Sequence, residues 1–151
     1  MWQSKVFTLY PEIFPGPLGK GLFGKALKNK LWEMKVVNIR DSATDRHKTV
    51  DDTPYGGGSG MLLKANILAS SLDQNKIDGE RIFYLSPKGK KFNQNFAKEL
   101  SQEKSISLIC GHFEGVDERV LKTRNIEEIS IGDYVLSGGE TAAFVVLDSI
   151  L

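Results

Sequence analysis

At 151 residues the chain has room for one domain with a proper core and little more. A hydrophobic fraction of 40% with 26% charged residues and a net charge of +1 places it among ordinary soluble globular proteins. The start, Met1-Trp2-Gln3-Ser4-Lys5, does not resemble a signal peptide and no apolar run approaches a membrane span, so a cytoplasmic protein with no membrane partner is expected.

In chain order, residues 5–9 read as a first strand and residues 18–29 as a helix with Leu22, Phe23, Ala26 and Leu27 on one face. Residues 31–39 read as a second strand carrying Val36 and Val37. Residues 40–60 have no periodicity and make a long polar loop, a length that in compact domains marks functional or disordered segments. Residues 62–72 then look helical. Residues 81–85 form a strand ended by Ser86-Pro87-Lys88-Gly89, because proline continues neither element. Residues 92–100 are a helix, 106–110 a buried strand, 117–122 the opening of another helix, 128–131 a short strand, and 141 onward a last helix. Strand alternating with helix predicts an α/β fold on a mostly parallel sheet.

Charge is uneven along this order. Between Lys20 and Lys48 there are eight basic residues (Lys20, Lys25, Lys28, Lys30, Lys35, Arg40, Arg46, Lys48) against Glu33, Asp41 and Asp45. Such a stretch suits a solvated surface or a face that meets nucleic-acid phosphates. The single cysteine, Cys110, lies in the apolar run 106–111 and reads as a small buried thiol; a nucleophile would need a basic partner, for which His112 is the neighbour.

The most informative stretch is Ile131-Gly132-Asp133-Tyr134-Val135-Leu136-Ser137-Gly138-Gly139-Glu140, where adjacent glycines stand between a short apolar run and a helix start. Bare backbone there can approach a flat ligand, and the following helix begins with its amides pointing back at the loop. Ile109-Cys110-Gly111-His112-Phe113-Glu114-Gly115-Val116-Asp117-Glu118-Arg119-Val120 repeats the arrangement. Loops at the carboxyl ends of neighbouring parallel strands converge on a crevice. Residues 85–87, 111–114 and 131–139 are therefore expected to enclose one ligand. Gly56-Gly57-Gly58-Ser59-Gly60 lacks the Gly-Lys-Ser/Thr ending of a phosphate-binding P-loop, and Asp51-Asp52 and Pro54-Tyr55 upstream are more constrained than a linker needs.

These segments resemble those of the bacterial tRNA (guanine-N1)-methyltransferases of the SPOUT superfamily. The resemblance rests on Tyr10-Pro11-Glu12-Ile13-Phe14, on Asp45-Arg46-His47-Lys48-Thr49-Val50-Asp51-Asp52 running into Pro54-Tyr55-Gly56-Gly57-Gly58, on Tyr84-Leu85-Ser86-Pro87, and on the two glycine loops. It implies a SPOUT-type, mostly parallel sheet flanked by helices, with a C-terminal trefoil knot. It further implies S-adenosylmethionine held in the knot loops, methyl transfer to N1 of guanine 37 of tRNA, and an active site shared across a homodimer. Spacing alone could not suggest a knot, since threaded chains are rare. The absence of a glycine-rich turn after the first strand argues separately against the commoner methyltransferase fold.

On that resemblance the cofactor is bound by Leu85, Ser86, Pro87, Gly111, Ile131, Gly132, Asp133, Tyr134, Val135, Leu136, Gly138 and Gly139. Approach of the substrate guanine is assigned to Arg46, His47, Asp52, Tyr55, Gly57 and Gly58. Glu114 is the catalytic candidate, contacting the guanine or a magnesium ion, and no resident metal site is expected. The resemblance also turns the basic stretch toward tRNA. Two positions depart from the family pattern: His112 stands where arginine is usual, and Lys88 where glutamine is usual.

The last helix stops inside an apolar pattern with no glycine, no basic turn and no proline after it. That pattern points to a piece of a longer protein, and the resemblance implies that residues 1–151 are its catalytic and cofactor-binding domain, without the C-terminal tRNA-binding domain and without the aspartate that serves the family as base. Such a piece would bind cofactor and turn over little. Two other readings stay open. A non-catalytic RNA-binding module is favoured by the basic region and opposed by the three glycine loops; a SPOUT methyltransferase acting on another RNA is opposed by residues 45–58.

Overall fold

The computed structural model describes residues 1–43, 51–52, 62–112 and 115–151. Strands β1 (Trp2–Thr8) and β2 (Trp32–Asn38) flank helix α1 (Gly21–Lys28). Two short strands, β3 (Asp51–Asp52) and β4 (Leu62–Leu63), precede helix α2 (Ala65–Gln74). Then come β5 (Arg81–Lys91), α3 (Gln94–Ser101), β6 (Ser105–Ile109), α4 (Glu118–Thr123), β7 (Glu127–Ser130) and α5 (Glu140–Ile150). The main sheet has the order β2-β1-β6-β5-β7, and every pairing in it is parallel. The expected mostly parallel α/β sheet is present.

Alternation along the strands builds a core on each face. Val6, Phe83, Leu85, Ile106 and Leu108 point to one side, where Leu100 of α3 and Val146 and Leu147 of α5 pack. Phe7, Tyr84 and Ile109 point to the other, against Ile67, Leu68 and Leu72 of α2 and Val120 and Leu121 of α4. A sheet buried on both faces explains why β6 reads as a continuous apolar run. Helix starts are capped locally: Asn93 Oδ1 accepts the Phe96 N–H at 2.8 Å and Asp117 Oδ1 accepts the Arg119 N–H at 2.9 Å.

Three boundaries differ from the sequence expectation. The helix expected over 18–29 divides into a 3₁₀ turn, Gly16–Gly19, and α1, because Lys20 between them is extended and Gly21, the first residue of α1, adopts φ of +59°. The helix expected from residue 62 begins at Ala65, since Leu62 and Leu63 first pair antiparallel with Asp52 and Asp51. The strand expected to stop at Leu85 runs on to Lys91: Leu85 and Lys90 both face Ile129, so Ser86-Pro87-Lys88-Gly89 bulges out and the proline sits where no ladder N–H is needed. Among the described residues no helix is long and apolar enough to cross a membrane.

Candidate functional site

Parallel strands of one sheet run the same way, and the bulge within β5 and the segments that follow β6 and β7 meet at one cleft, of about 350 Å³. The bulge after Leu85 supplies Ser86, Pro87 and Lys88. The turn after β6 supplies Gly111, His112, Gly115 and Val116, and the segment between β7 and α5 supplies Ile131, Gly132 and residues 134–139. Volume and mixed apolar and backbone lining match a small-molecule site. Tyr134, Val135 and Leu136 expose 52%, 88% and 37% of their surface, an apolar wall that a flat ring would cover.

Close approach explains the paired glycines. A Cβ on Gly139 would stand 2.8 Å from Cys110 Cα and 3.0 Å from the Gly111 nitrogen, both main chain that cannot swing aside. The Gly139 N–H instead donates to Gly111 O at 2.9 Å, stitching the two loops together. A Cβ on Gly138 would overlap the imidazole of His112.

That imidazole belongs to a polar cluster beneath the cleft. His112 Nε2 lies 2.6 Å from Oε1 of Glu140, the first residue of α5, and Thr8 Oγ1 donates to Oε2 at 2.6 Å. Glu140 is only 6% exposed. Thr8 Oγ1 in turn accepts the Tyr10 N–H at 3.0 Å, and the Tyr10 ring meets the imidazole edge-on at 5.0 Å. Two neighbours are held in their neutral forms. Burial, with a smaller push from the Glu128 charge, raises the Tyr84 phenol to about 12. Burial and then the Glu140 charge push the Cys110 thiol up, so the buried thiol is no nucleophile at neutral pH.

Of the residues assigned to cofactor, Leu85, Ser86, Pro87, Gly111, Ile131, Gly132, Tyr134, Val135, Leu136, Gly138 and Gly139 line the cleft. Asp133 does not: its carboxylate faces Lys91 Nζ at 3.4 Å on the surface. Glu114, Arg46, His47, Tyr55, Gly57 and Gly58 lie outside the described residues, and Asp52 is described only as backbone of β3. Leu63 pairs with Val116 beside the site, and its N–H donates to Gly115 O at 3.0 Å. Sequence reasoning missed Thr8 and Glu140. An acid at a helix start carries its own local explanation, and nothing in the sequence joined it to β1. Among the described residues no group of three His, Cys, Asp or Glu side chains could hold a metal ion.

Comparison with known proteins converges on one family. That described as tRNA (Guanine-1)-methyltransferase TrmD matches residues 2–151. A Pelagibacter ubique protein named tRNA (guanine-N(1)-)-methyltransferase is 78% identical over 151 residues, covering 100% of this chain and 66% of its own length. A Bartonella tribocorum protein of the same name is 53% identical over 150 residues, covering 99% of this chain and 64% of its own. One from Rhizobium etli is 51% identical over 151 residues, covering 99% and 65%. The chain thus spans 64% to 66% of the length of these relatives.

Proposed function

Because the chain belongs to the tRNA (guanine-1)-methyltransferase family, we propose that its cleft holds S-adenosylmethionine and that the whole protein methylates N1 of guanine 37 in tRNA. The observation that carries this reading is the convergence of three loops, 85–88, 111–116 and 131–139, on one cleft at the carboxyl edge of the sheet. The fit is chemical as well as topological. Main-chain amides and carbonyls of 131–139 suit the edges of an adenine, the exposed apolar wall suits its faces, and Lys88, Glu118 and Glu128 offer charged groups at the rim.

When bound, the cofactor supplies an electrophilic methyl group on a sulfonium. The chain's own part is to hold both reactants in line, exclude water and place groups near the guanine N1 proton. Positioning of this kind removes much of the barrier of a bimolecular transfer. Glu114 is assigned to the guanine, directly or through magnesium, and the proton acceptor to the part of the relatives beyond the matched two thirds. Residues 1–151 alone are then a cofactor-binding domain with little turnover, since a general base typically contributes ~10²–10⁴ in rate.

The same reading gives the segment from β6 to α5 the trefoil knot of the family. It is supported by the crossover from β6 past β5 to β7 and by the return of Gly139 onto Gly111. It makes the working form a homodimer that buries exposed Tyr10, Ile13 and Val145, and it places the enzyme with its tRNA in the cytoplasm, the basic stretch from Lys20 meeting phosphates.

Calorimetric titration of the chain with S-adenosylhomocysteine is expected to show binding, and Gly138→Val to abolish it by displacing the His112 ring. Failure of the unaltered chain to bind overturns the cofactor reading; unchanged affinity in G138V removes 131–139 from the site. Methylation of unmodified tRNA is expected only from a chain extended to the relatives' length. Equal turnover by the 151 residues would place the base within them.

A further inference from the structure

We propose that Glu140 is a positioning residue of the cleft: by clasping Thr8 and His112 it holds the turn after β6 against the loop before α5 in the geometry that receives the ligand. The proposal rests on the cofactor reading of that cleft, and its test is arranged so that the two can fail separately.

A proton inventory fixes the wiring. Thr8 Oγ1 already accepts the Tyr10 N–H at 3.0 Å, so its one proton is available to Glu140 Oε2, 2.6 Å away. An ionised Glu140 has only acceptors, so the 2.6 Å contact at Oε1 requires the proton on His112 Nε2. A carboxylate 6% exposed needs both donors, because burying it with either missing is costly. The two bonds tie the last residue of β1, the turn after β6 and the first residue of α5 at a single point.

Packing transmits the clasp to the ligand side. The imidazole is held edge-on to Tyr10 at 5.0 Å on one side and fills the space of the missing Gly138 side chain on another. His112 and Gly138 both line the cleft, whereas Glu140 does not and acts only through His112. The Gly139 N–H to Gly111 O bond is the second tie between the loops, at the backbone. Without the clasp the ring is released from its seat over Gly138, and the backbone tie no longer acts together with it.

The test uses the full 151-residue chain, S-adenosylhomocysteine as probe, and ¹⁵N imidazole shifts of His112 as an independent readout. Glu140→Ala is expected to weaken binding about tenfold at temperatures well below its melting point. Thr8→Val, which keeps the shape but removes both the donor to Glu140 and the acceptor of the Tyr10 N–H, is expected to weaken it about threefold, and it carries the affinity test if E140A does not fold. In the unaltered chain Nε2 should be protonated. In Glu140→Gln the single amide oxygen takes the Thr8 proton and the amide NH₂ must donate to Nε2, so Nε2 should lose its proton. Glu80→Ala, at the opposite edge of the sheet, should lower stability and leave affinity unchanged. Unchanged affinity in folded E140A and T8V, an unprotonated Nε2 in the unaltered chain, or an equal loss of affinity in E80A overturns the proposal. If the unaltered chain binds no S-adenosylhomocysteine, the cofactor reading fails, and the Nε2 signals still decide whether the clasp is wired as described.

Discussion

The side-chain carboxylates of Glu80 and Glu140 are both buried, one at each edge of the parallel sheet, and their partners differ. Glu80, just ahead of β5, accepts from Ser105 Oγ at 2.5 Å and from Ser107 Oγ, and lies 3.4 Å from Lys5 Nζ. The lysine also donates to the Asn75 carbonyl at the end of α2. Glu140 sits at the carboxyl edge with one hydroxyl and one imidazole. None of the Glu80 partners lines the ligand cleft, whereas His112 does. The same group, a carboxylate out of water, therefore closes the amino edge with a cation and couples the carboxyl edge to an imidazole packed between two glycine loops. Neutralising chemistry alone does not tell a structural acid from one that shapes a site; the elements its partners belong to do.

The largest effect should come from breaking the amino edge. Glu80→Ala leaves the Lys5 ammonium, with a side chain 6% exposed, without its counter-charge, and breaking a buried pair from one side costs about 3–5 kcal/mol. Urea unfolding measures this. Replacing both partners by apolar residues, Lys5→Met with Glu80→Leu, should cost less than E80A alone, since no buried charge is stranded. A loss below about 1 kcal/mol for E80A, the size of an exposed ion pair, would break the contrast by placing Glu80 among surface acids.

A smaller effect is expected from Gly139→Ala. The added methyl meets main-chain atoms of Cys110 and Gly111 at 2.8 and 3.0 Å, and overpacking of this kind costs about 1–3 kcal/mol. Unlike E80A, this variant should also weaken S-adenosylhomocysteine binding, because the start of α5 must move off β6 and carry the loop with it. Paired stability and affinity measurements on G139A and E80A sharpen the comparison: destabilisation at one edge reaches the cleft, and at the other it does not.

What the sequence disclosed follows the range of each interaction. Buried strands such as β6, and the glycines at 111, 138 and 139, carry local signals of apolar runs and main-chain punctuation, so the three cleft loops could be named before the fold was known. The route of β5 past Pro87 could not, because whether a proline ends a strand depends on what faces it, and here the bulge leaves Ile129 paired on both sides of it. Glu140 was illegible for a stronger reason. Its hydroxyl partner is 132 residues away and its imidazole partner 28 residues away, while its place at a helix start already explained an acid there. Lys5 and Glu80, 75 residues apart, were hidden in the same way.

The smallest effect sets the scale for both buried acids. Asp117 caps α4 at the surface, with Oδ1 accepting the Arg119 N–H at 2.9 Å and Oδ2 meeting the Arg119 guanidinium at 2.5 Å. The guanidinium, and then that backbone N–H, hold its carboxyl down to about 2 from an ordinary 3.8. With the folded value below the unfolded one, the stabilisation is fully present above the ordinary value and is lost as pH falls through about 2. Asp117→Ala should therefore cost about 1 kcal/mol at neutral pH, the usual worth of an N-cap. The gap to the unaltered chain should narrow from about pH 4 downward and close only below about pH 2. Because the ion pair faces solvent, part of the effect should fade at high salt while the cap bond persists. Urea unfolding across that pH range, at low and high salt, reads both. A gap undiminished at pH 2 would mean that shape rather than charge holds this turn, and the ranking of the three carboxylates by burial would lose its lowest member.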